Sequence, residues 1–357
     1  MNTKIMFATM VATAAICSPA FAEDLKPAAW VPLPAIGSSP ETGFLYGAYI
    51  MRIFPQTDVD VPQNRLETLL QGTAKGQYQA YIWPNIYFDQ GNWQAKGTLG
   101  GKYWPASYYG QGNESPEDGD KFADTSFKVS SELNRQVTDD IKLGGAIFAE
   151  YHSIKDIDED PTTLLLTSDI NGYDGGLFSG LGLRAQYDTR NNIDWPTTGA
   201  LITAKFDAFT SVLGSDIDFT TGKLRMTQYT SINQDVLAFS SQIASASKET
   251  PFTHLPKADG SRSLRGADGN HWIDYRAVGF QTEYRKPLGS KWAAVLFFDT
   301  FQVASKFSDM EVGDFHYSPG FGVRYAMTPD RFNLRLDIAS VDLDGVTLAA
   351  ITVSEAF

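Results

Sequence analysis

Few of the side chains that do chemistry stand at spacings that would let them do it. The four histidines, His152, His254, His271 and His316, are scattered along the chain, and none forms a zinc motif. The run Asp156-Ile157-Asp158-Glu159-Asp160 is acidic enough to attract calcium. It lacks the ligand spacing and turn glycine of a calcium loop, so it reads as a solvated loop face. Tyr151-His152-Ser153 sets a base beside a hydroxyl without the His-x-Ser spacing that a hydrolase on a strand face needs. Gly91, Gly97, Gly100 and Gly101 lead into no helix and make no phosphate loop. Catalytic, cofactor and metal sites are all read as none, and the chain as a non-enzyme. One charged constellation remains. Phe280 and Tyr284 alternate with Gln281, Glu283 and Arg285, and Trp292, Leu296 and Phe298 leave Asp299 on the opposite face. Glu283 and Asp299 on one face of neighbouring strands need a cation, and a guanidinium can bridge both.

That face exists only if the segments are strands, and the alternation runs far beyond them. In Phe332-Asn333-Leu334-Arg335-Leu336-Asp337-Ile338 four apolar residues oppose Asn, Arg and Asp. Leu181, Leu183 and Tyr187 oppose Arg184, Gln186 and Asp188; Ile202, Ala204, Phe206 and Ala208 oppose Thr203, Lys205 and Asp207. A charged inner face with an apolar outer one suits a wide barrel with a wet or plugged lumen in lipid. Sixteen candidate strands start near Trp30, Gly43, Asn64, Gln77, Asn92, Lys121, Ile141, Leu177, Thr198, Ile217, Asp235, Ile273, Trp292, Phe315, Arg331 and Val346. Most run ~9–14 residues, enough for a tilted membrane strand. Connections after odd strands include the long 105–120, 154–176, 249–272 and 305–314; those after even strands are mostly tight, such as 89–91, 233–234, 288–291 and 328–330. Long outer loops and short periplasmic turns are the pattern of one up-and-down barrel. Tyr103 and Trp104 near a strand end fit an interfacial aromatic girdle.

Residues 1–22 read as a signal peptide: Lys4, a short apolar run from Ile5 to Ile16, and the cleavage signal Ala20-Phe21-Ala22. Cys17, the only cysteine, leaves with it, so the mature chain 23–357 has no thiol. The net charge of −13 excludes a nucleic-acid partner, which needs a basic footprint. Aromatic residues at 13% and 31 glycines, without another apolar run long enough for a membrane helix, favour a barrel over an acidic secreted sandwich. Thr347 to Phe357 reads as a last strand ending on an aromatic, the usual finish of a bacterial outer-membrane barrel. The fold class is therefore all-β, a single transmembrane antiparallel barrel of sixteen strands in the bacterial outer membrane. Its partners are outer-membrane lipid and the machinery that inserts it.

Several motifs go beyond a generic barrel. These are Tyr187-Asp188-Thr189-Arg190-Asn191-Asn192, Trp195-Pro196-Thr197-Thr198-Gly199, Ser263-Leu264-Arg265-Gly266, Thr282-Glu283-Tyr284-Arg285-Lys286-Pro287-Leu288 and Leu296-Phe297-Phe298-Asp299-Thr300. In this order, with a terminal Phe, they resemble the outer-membrane assembly-factor superfamily of BamA/TamA type, the bacterial surface antigens. The resemblance covers Leu177 to Phe357 well and the first half loosely. It implies that the sixth outer loop, 249–272, folds into the lumen, with Arg265 at its tip and Glu283 and Asp299 as acceptors. Gly266 lets the backbone turn behind the arginine.

The chain also departs from that family's pattern. Ala267 stands where an aromatic is usual, Phe301 where a glycine is, and Glu355 occupies an outward-parity position near the terminus. Only about seven residues separate Glu23 from the first strand. That leaves no room for periplasmic client-binding (POTRA) domains, so a separate periplasmic partner enters the reading. Pro32 and Pro34, two apart, remove N–H groups from one edge of the first strand. With Phe357 on the last strand they would mark a weakened lateral seam; a proline-rich lead-in is the alternative for this segment. The function implied is assistance to protein or lipid translocation or insertion at the outer membrane, the alternative being a passive or plugged structural pore.

Overall fold

The computed structural model describes residues 25–39, 42–116, 118–158, 170–260, 262–353 and 355–357. Residues 1–22, read as a signal peptide, and Glu159 and Asp160 of the acidic run lie outside the described residues. Sixteen strands follow one another: β1 (Ala29–Ser39), β2 (Gly43–Ile53), β3 (Arg65–Thr73), β4 (Tyr78–Phe88), β5 (Trp93–Tyr108), β6 (Asp120–Thr138), β7 (Ile141–Asp156), β8 (Gly175–Asp188), β9 (Gly199–Phe209), β10 (Phe219–Ile232), β11 (Asp235–Ala246), β12 (Arg276–Leu288), β13 (Trp292–Ala304), β14 (His316–Ala326), β15 (Asn333–Ala339) and β16 (Leu348–Val353). Each pairs antiparallel with the next, and β16 returns to β1 to close the barrel. Every strand begins within three residues of its expected start, because period-two alternation sets the strands directly.

Burial is inverted relative to a water-soluble protein. Leu181, Leu183, Leu296 and Phe298 stand exposed on the outside, while Glu283, Arg285, Asp299 and Arg324 are fully buried inside. An apolar exterior over a charged interior suits surroundings of low polarity. Register corrects one reading of the aromatics. Trp104 pairs across from the buried Asp124 and so faces the lumen, whereas Tyr103 faces outward and stacks on Tyr78, ring centres 5.2 Å apart. Neighbouring residues of a strand point to opposite faces, so both could not join one girdle.

Long connections gather at one end, at 109–119, 157–174, 247–275 and 305–315. The two on either side of the β6–β7 hairpin are shorter than expected because β5 and β7 extend to Tyr108 and Asp156. The opposite end carries two substantial turns, 54–64 and 189–198, as well as the tight ones.

Closure is weakest at the seam. β1 pairs with β2 at eleven positions from Ala29 to Ser39, but with β16, among the described residues, only at Ile36–Ile351, Gly37–Ala350 and Ser38–Ala349. Pro32 and Pro34 lie on the stretch of β1 that has no β16 partner among the described residues. β16 itself is six residues long and ends at Val353.

The outward apolar band gives a direct expectation. Leu181→Arg, mid-strand on β8, should destabilise the barrel in phospholipid vesicles by about 2–4 kcal/mol, read by denaturant unfolding.

Candidate functional site

The loop from β11 to β12, residues 247–275, folds down inside the barrel and ends in a tight turn. The N–H groups of Ser263 and Leu264 both donate to the Asp259 carbonyl, at 2.8 and 3.2 Å, and the Asp259 N–H donates to Ser263 Oγ at 2.6 Å. Leu264 is fully buried, anchoring the tip among Trp272, Ala277, Phe301, Val303 and Val341. Gly266 follows with φ of +95°, and a Cβ there would sit 2.3 Å from Thr347 Oγ1. The position therefore demands glycine twice over, for conformation and for room.

Arg265 is completely buried. Its Nε and Nη2 donate to the two oxygens of Asp299, each at 2.7 Å, and its Nη1 donates to Glu283 Oε1 at 2.6 Å. Its backbone N–H also donates to Asp299, at 3.1 Å, and its carbonyl accepts from Ser318 Oγ at 2.5 Å. The guanidinium lies over Phe297, its carbon 3.4 Å from the ring centre. A Cβ at Gly320, opposite Phe297 in register, would meet that ring at 2.1 Å, so glycine makes the room in which the ring lies. A planar fork over an aromatic, bidentate to one carboxylate and reaching a second, is a geometry that lysine cannot reproduce.

The pair belongs to a larger buried network. Arg285 Nε donates to Glu283 at 2.8 Å, Arg324 Nη1 to Asp337 at 2.6 Å, Arg324 Nε to Glu355 at 2.9 Å, and Arg335 lies 3.2 Å from Asp337. Four arginines thus face four carboxylates, so no charge is buried without its opposite. Inward strand parity at Arg335 and Asp337 was legible in the sequence. Arg324 carried the same signal, since Phe321 and Val323 flank its strand face outward.

Two terminal residues sit differently from expectation. Glu355 is buried in the lumen, bonded to Arg324 and to Asn333, because β16 has ended and strand parity no longer applies. Phe357 is not at the seam. It packs beside Tyr229, Val236 and Ala238 with the Arg285 guanidinium 5.6 Å from its ring centre, so the chain end curls inward. Trp195 and Tyr229 complete an aromatic surround for Arg285, at 5.3 and 5.4 Å.

The β8–β9 turn covers this end of the lumen. Asn192 Oδ1 accepts from the N–H groups of Asp194 and Trp195, both at 2.8 Å, which presents Trp195 inward. Asp194 then holds Arg65 of β3 bidentately at 2.9 and 2.8 Å across the opening. The two family departures at Ala267 and Phe301 prove complementary. Both side chains belong to one buried cluster, so the wall supplies a ring where the loop does not. Phe301 lies over Gly279, its register partner, where a Cβ would come within 2.9 Å. Asp156 and Asp158 accept backbone hydrogen bonds, and Tyr151 points outward while His152 points in.

A closed sixteen-strand barrel with a long loop drawn into its lumen and held by a buried arginine is the architecture of the outer-membrane transport and assembly barrels. The Omp85 superfamily domain matches residues 71–343, and the chain belongs to that superfamily. Its barrels are outer-membrane transport or assembly proteins rather than enzymes. Two solved structures share the fold. BamA from Haemophilus ducreyi lacking POTRA domains 1–3 superposes with TM-score 0.60 at 14% identity, covering 91% of this chain and 70% of that one. CdiB from Acinetobacter baumannii superposes with TM-score 0.59 at 12% identity, covering 93% of this chain and 60% of that one. No curated protein matches by sequence.

Removing one partner from so buried a network has a definite cost. Arg265→Ala should destabilise the folded barrel by about 3–5 kcal/mol, and Arg265→Lys should fall between it and the wild type. The temperature at which the fast-migrating folded form disappears on a semi-native gel measures both.

Proposed function

We propose that the chain is exported by residues 1–22 and that residues 23–357 form an outer-membrane barrel assisting the passage or insertion of protein or lipid clients. The observation that carries this reading is the three-position seam between β1 and β16. Each interior backbone group that lacks a ladder partner in lipid is costly, so an incompletely paired seam is where the wall opens most easily. Arg265, Gly266, Glu283 and Asp299 form the lock that holds the loop against β12 and β13, leaving the β1–β16 side as the compliant part of the wall. Pro32 and Pro34 keep that edge incompletely paired, while Phe357 braces the base of the lumen. In this reading the barrel contacts outer-membrane lipid, is itself inserted by the barrel-assembly machinery, and receives clients from a separate periplasmic partner.

A passive plugged pore is the second reading, favoured by a cavity of about 930 Å³ beside the loop, lined by Lys75, Lys121, Asp268 and His271 among others. Two experiments separate the readings. Ile36 and Ile351 are direct partners across the seam, so a cysteine at each can close it with a disulfide. Oxidised Ile36→Cys/Ile351→Cys barrel should fail to restore outer-membrane protein or lipid content in a depletion strain, and reduction should restore it; equal complementation in both states refutes lateral opening. In planar bilayers Arg265→Ala should raise conductance. If it does so while outer-membrane composition stays unchanged, the passive pore is the correct reading.

A further inference from the structure

Histidines scattered in the sequence converge in the lumen, away from the Arg265 network. Glu150 and His152 lie two apart on β7 and both face inward, and His254 descends onto them from the loop that carries Arg265. Their ligand atoms all lie within 4.8 Å of one another. Glu150 Oε2 stands 3.6 Å from His152 Nε2 and 3.6 Å from His254 Nε2. Ligands bound tetrahedrally at ~2.0–2.1 Å sit roughly 3.3 Å apart, so small side-chain adjustments would close a coordination sphere.

The outer partners are arranged as a metal site requires. His152 Nδ1 is 3.0 Å from Asp124 Oδ1, and Asp124 is in turn held by Lys102 at 3.0 Å. His254 Nδ1 is 3.0 Å from Thr253 Oγ1. Engaging both Nδ1 atoms turns both Nε2 atoms toward the same point. Lys128 holds Glu150 Oε1 at 2.5 Å, which leaves Oε2 as the free, monodentate oxygen. His152 is 92% buried, by its 8% exposure, yet its Nε2 has no hydrogen-bond partner among the described residues. A buried imidazole nitrogen aimed at a carboxylate and a second imidazole nitrogen, with no hydrogen bond made, asks for a ligand. Phe178, Phe209 and Phe219 surround His254, their ring centres 5.2 to 5.3 Å from its own.

We propose that Glu150, His152 and His254 form a divalent transition-metal site, of the class that takes Zn²⁺. Two imidazole nitrogens and one carboxylate oxygen are the donor set of a three-ligand zinc site, with a fourth position left for water. Hard cations such as Ca²⁺ and Mg²⁺ fit poorly, since they prefer all-oxygen shells. The ion would clip the loop to β7 as Arg265 ties it to β12 and β13. The loop then has two anchors on different parts of the wall, one a charge pair and one removable by chelation.

The test uses the full-length mature barrel, refolded in detergent without a histidine tag and stripped with chelator. Competition titration with a chromophoric indicator should show one Zn²⁺ per barrel. His152→Ala or His254→Ala should abolish stoichiometric binding, Asp124→Asn should weaken it by about 10- to 100-fold, and His271→Gln should leave it unchanged. Folded migration on a semi-native gel establishes that each variant is a barrel. Wild-type barrel with one equivalent of Co²⁺ should give the intense visible bands of four-coordinate cobalt, a reading that needs no variant. Absence of stoichiometric Zn²⁺ binding in the wild type, only six-coordinate Co²⁺ bands, or full binding by the His152→Ala/His254→Ala double variant overturns the proposal.

Discussion

The arrangement of the lumen depends on one buried guanidinium. Among the described residues of its loop tip, Arg265 alone satisfies Asp299 and Glu283 together, and both carboxylates are fully buried on the wall. Without it, buried Asp299 would lose its guanidinium partner and Glu283 would keep only Arg285 and the more distant Arg324. With it, the further arginines complete the set: Arg285 shares Glu283, while Arg324 binds Glu355 and shares Asp337 with Arg335. The network is therefore a chain of shared charges in which every member needs the next. Such a network is weak evidence for net stability, but it specifies one arrangement strongly, because any other leaves a charge unpaired. The loop position follows from that specificity.

The rest of the lumen is built around the same requirement. Phe297 and Gly320 form the floor on which the guanidinium lies, Gly266 lets the tip pass under Thr347, and Phe301 fills the volume beside Leu264. At the opposite end Trp195, Tyr229 and Phe357 enclose Arg285, whose Nη atoms have no hydrogen-bond partner among the described residues. Aromatic faces offset part of that deficit. The stiff half of the barrel thus runs from β11 to β15. On the other side lies the seam, where β16 is short and pairing with β1 covers three positions among the described residues.

The strand framework was legible because lipid-facing and lumen-facing positions alternate over most of each strand, as in β8 from Gly180 to Leu183 and β13 from Trp292 to Phe301. Glu283 and Asp299 could be placed on one face by parity alone. Glu355 and Phe357 could not, since parity carries no information beyond the last paired residue. Trp104 was misplaced for a related reason: its aromatic character suggested the exterior, while its register with Asp124 puts it inside. Ala267 and Phe301 looked like two separate departures, and only their shared cluster makes them one exchange of volume.

By itself the sequence determined sixteen strands, the sidedness of the long loops and that Glu283, Asp299 and Asp337 face inward, because each depends on local period or local length. The tertiary structure decided how side chains far apart along the chain meet. It brought Arg265 onto Asp299, curled Phe357 onto Arg285, and set His254 against Glu150 and His152. Those meetings depend on where a long loop and a free chain end come to rest inside a closed wall. Closure of the barrel, a property of all sixteen strands together, fixes those distances, and no run of neighbouring residues encodes it.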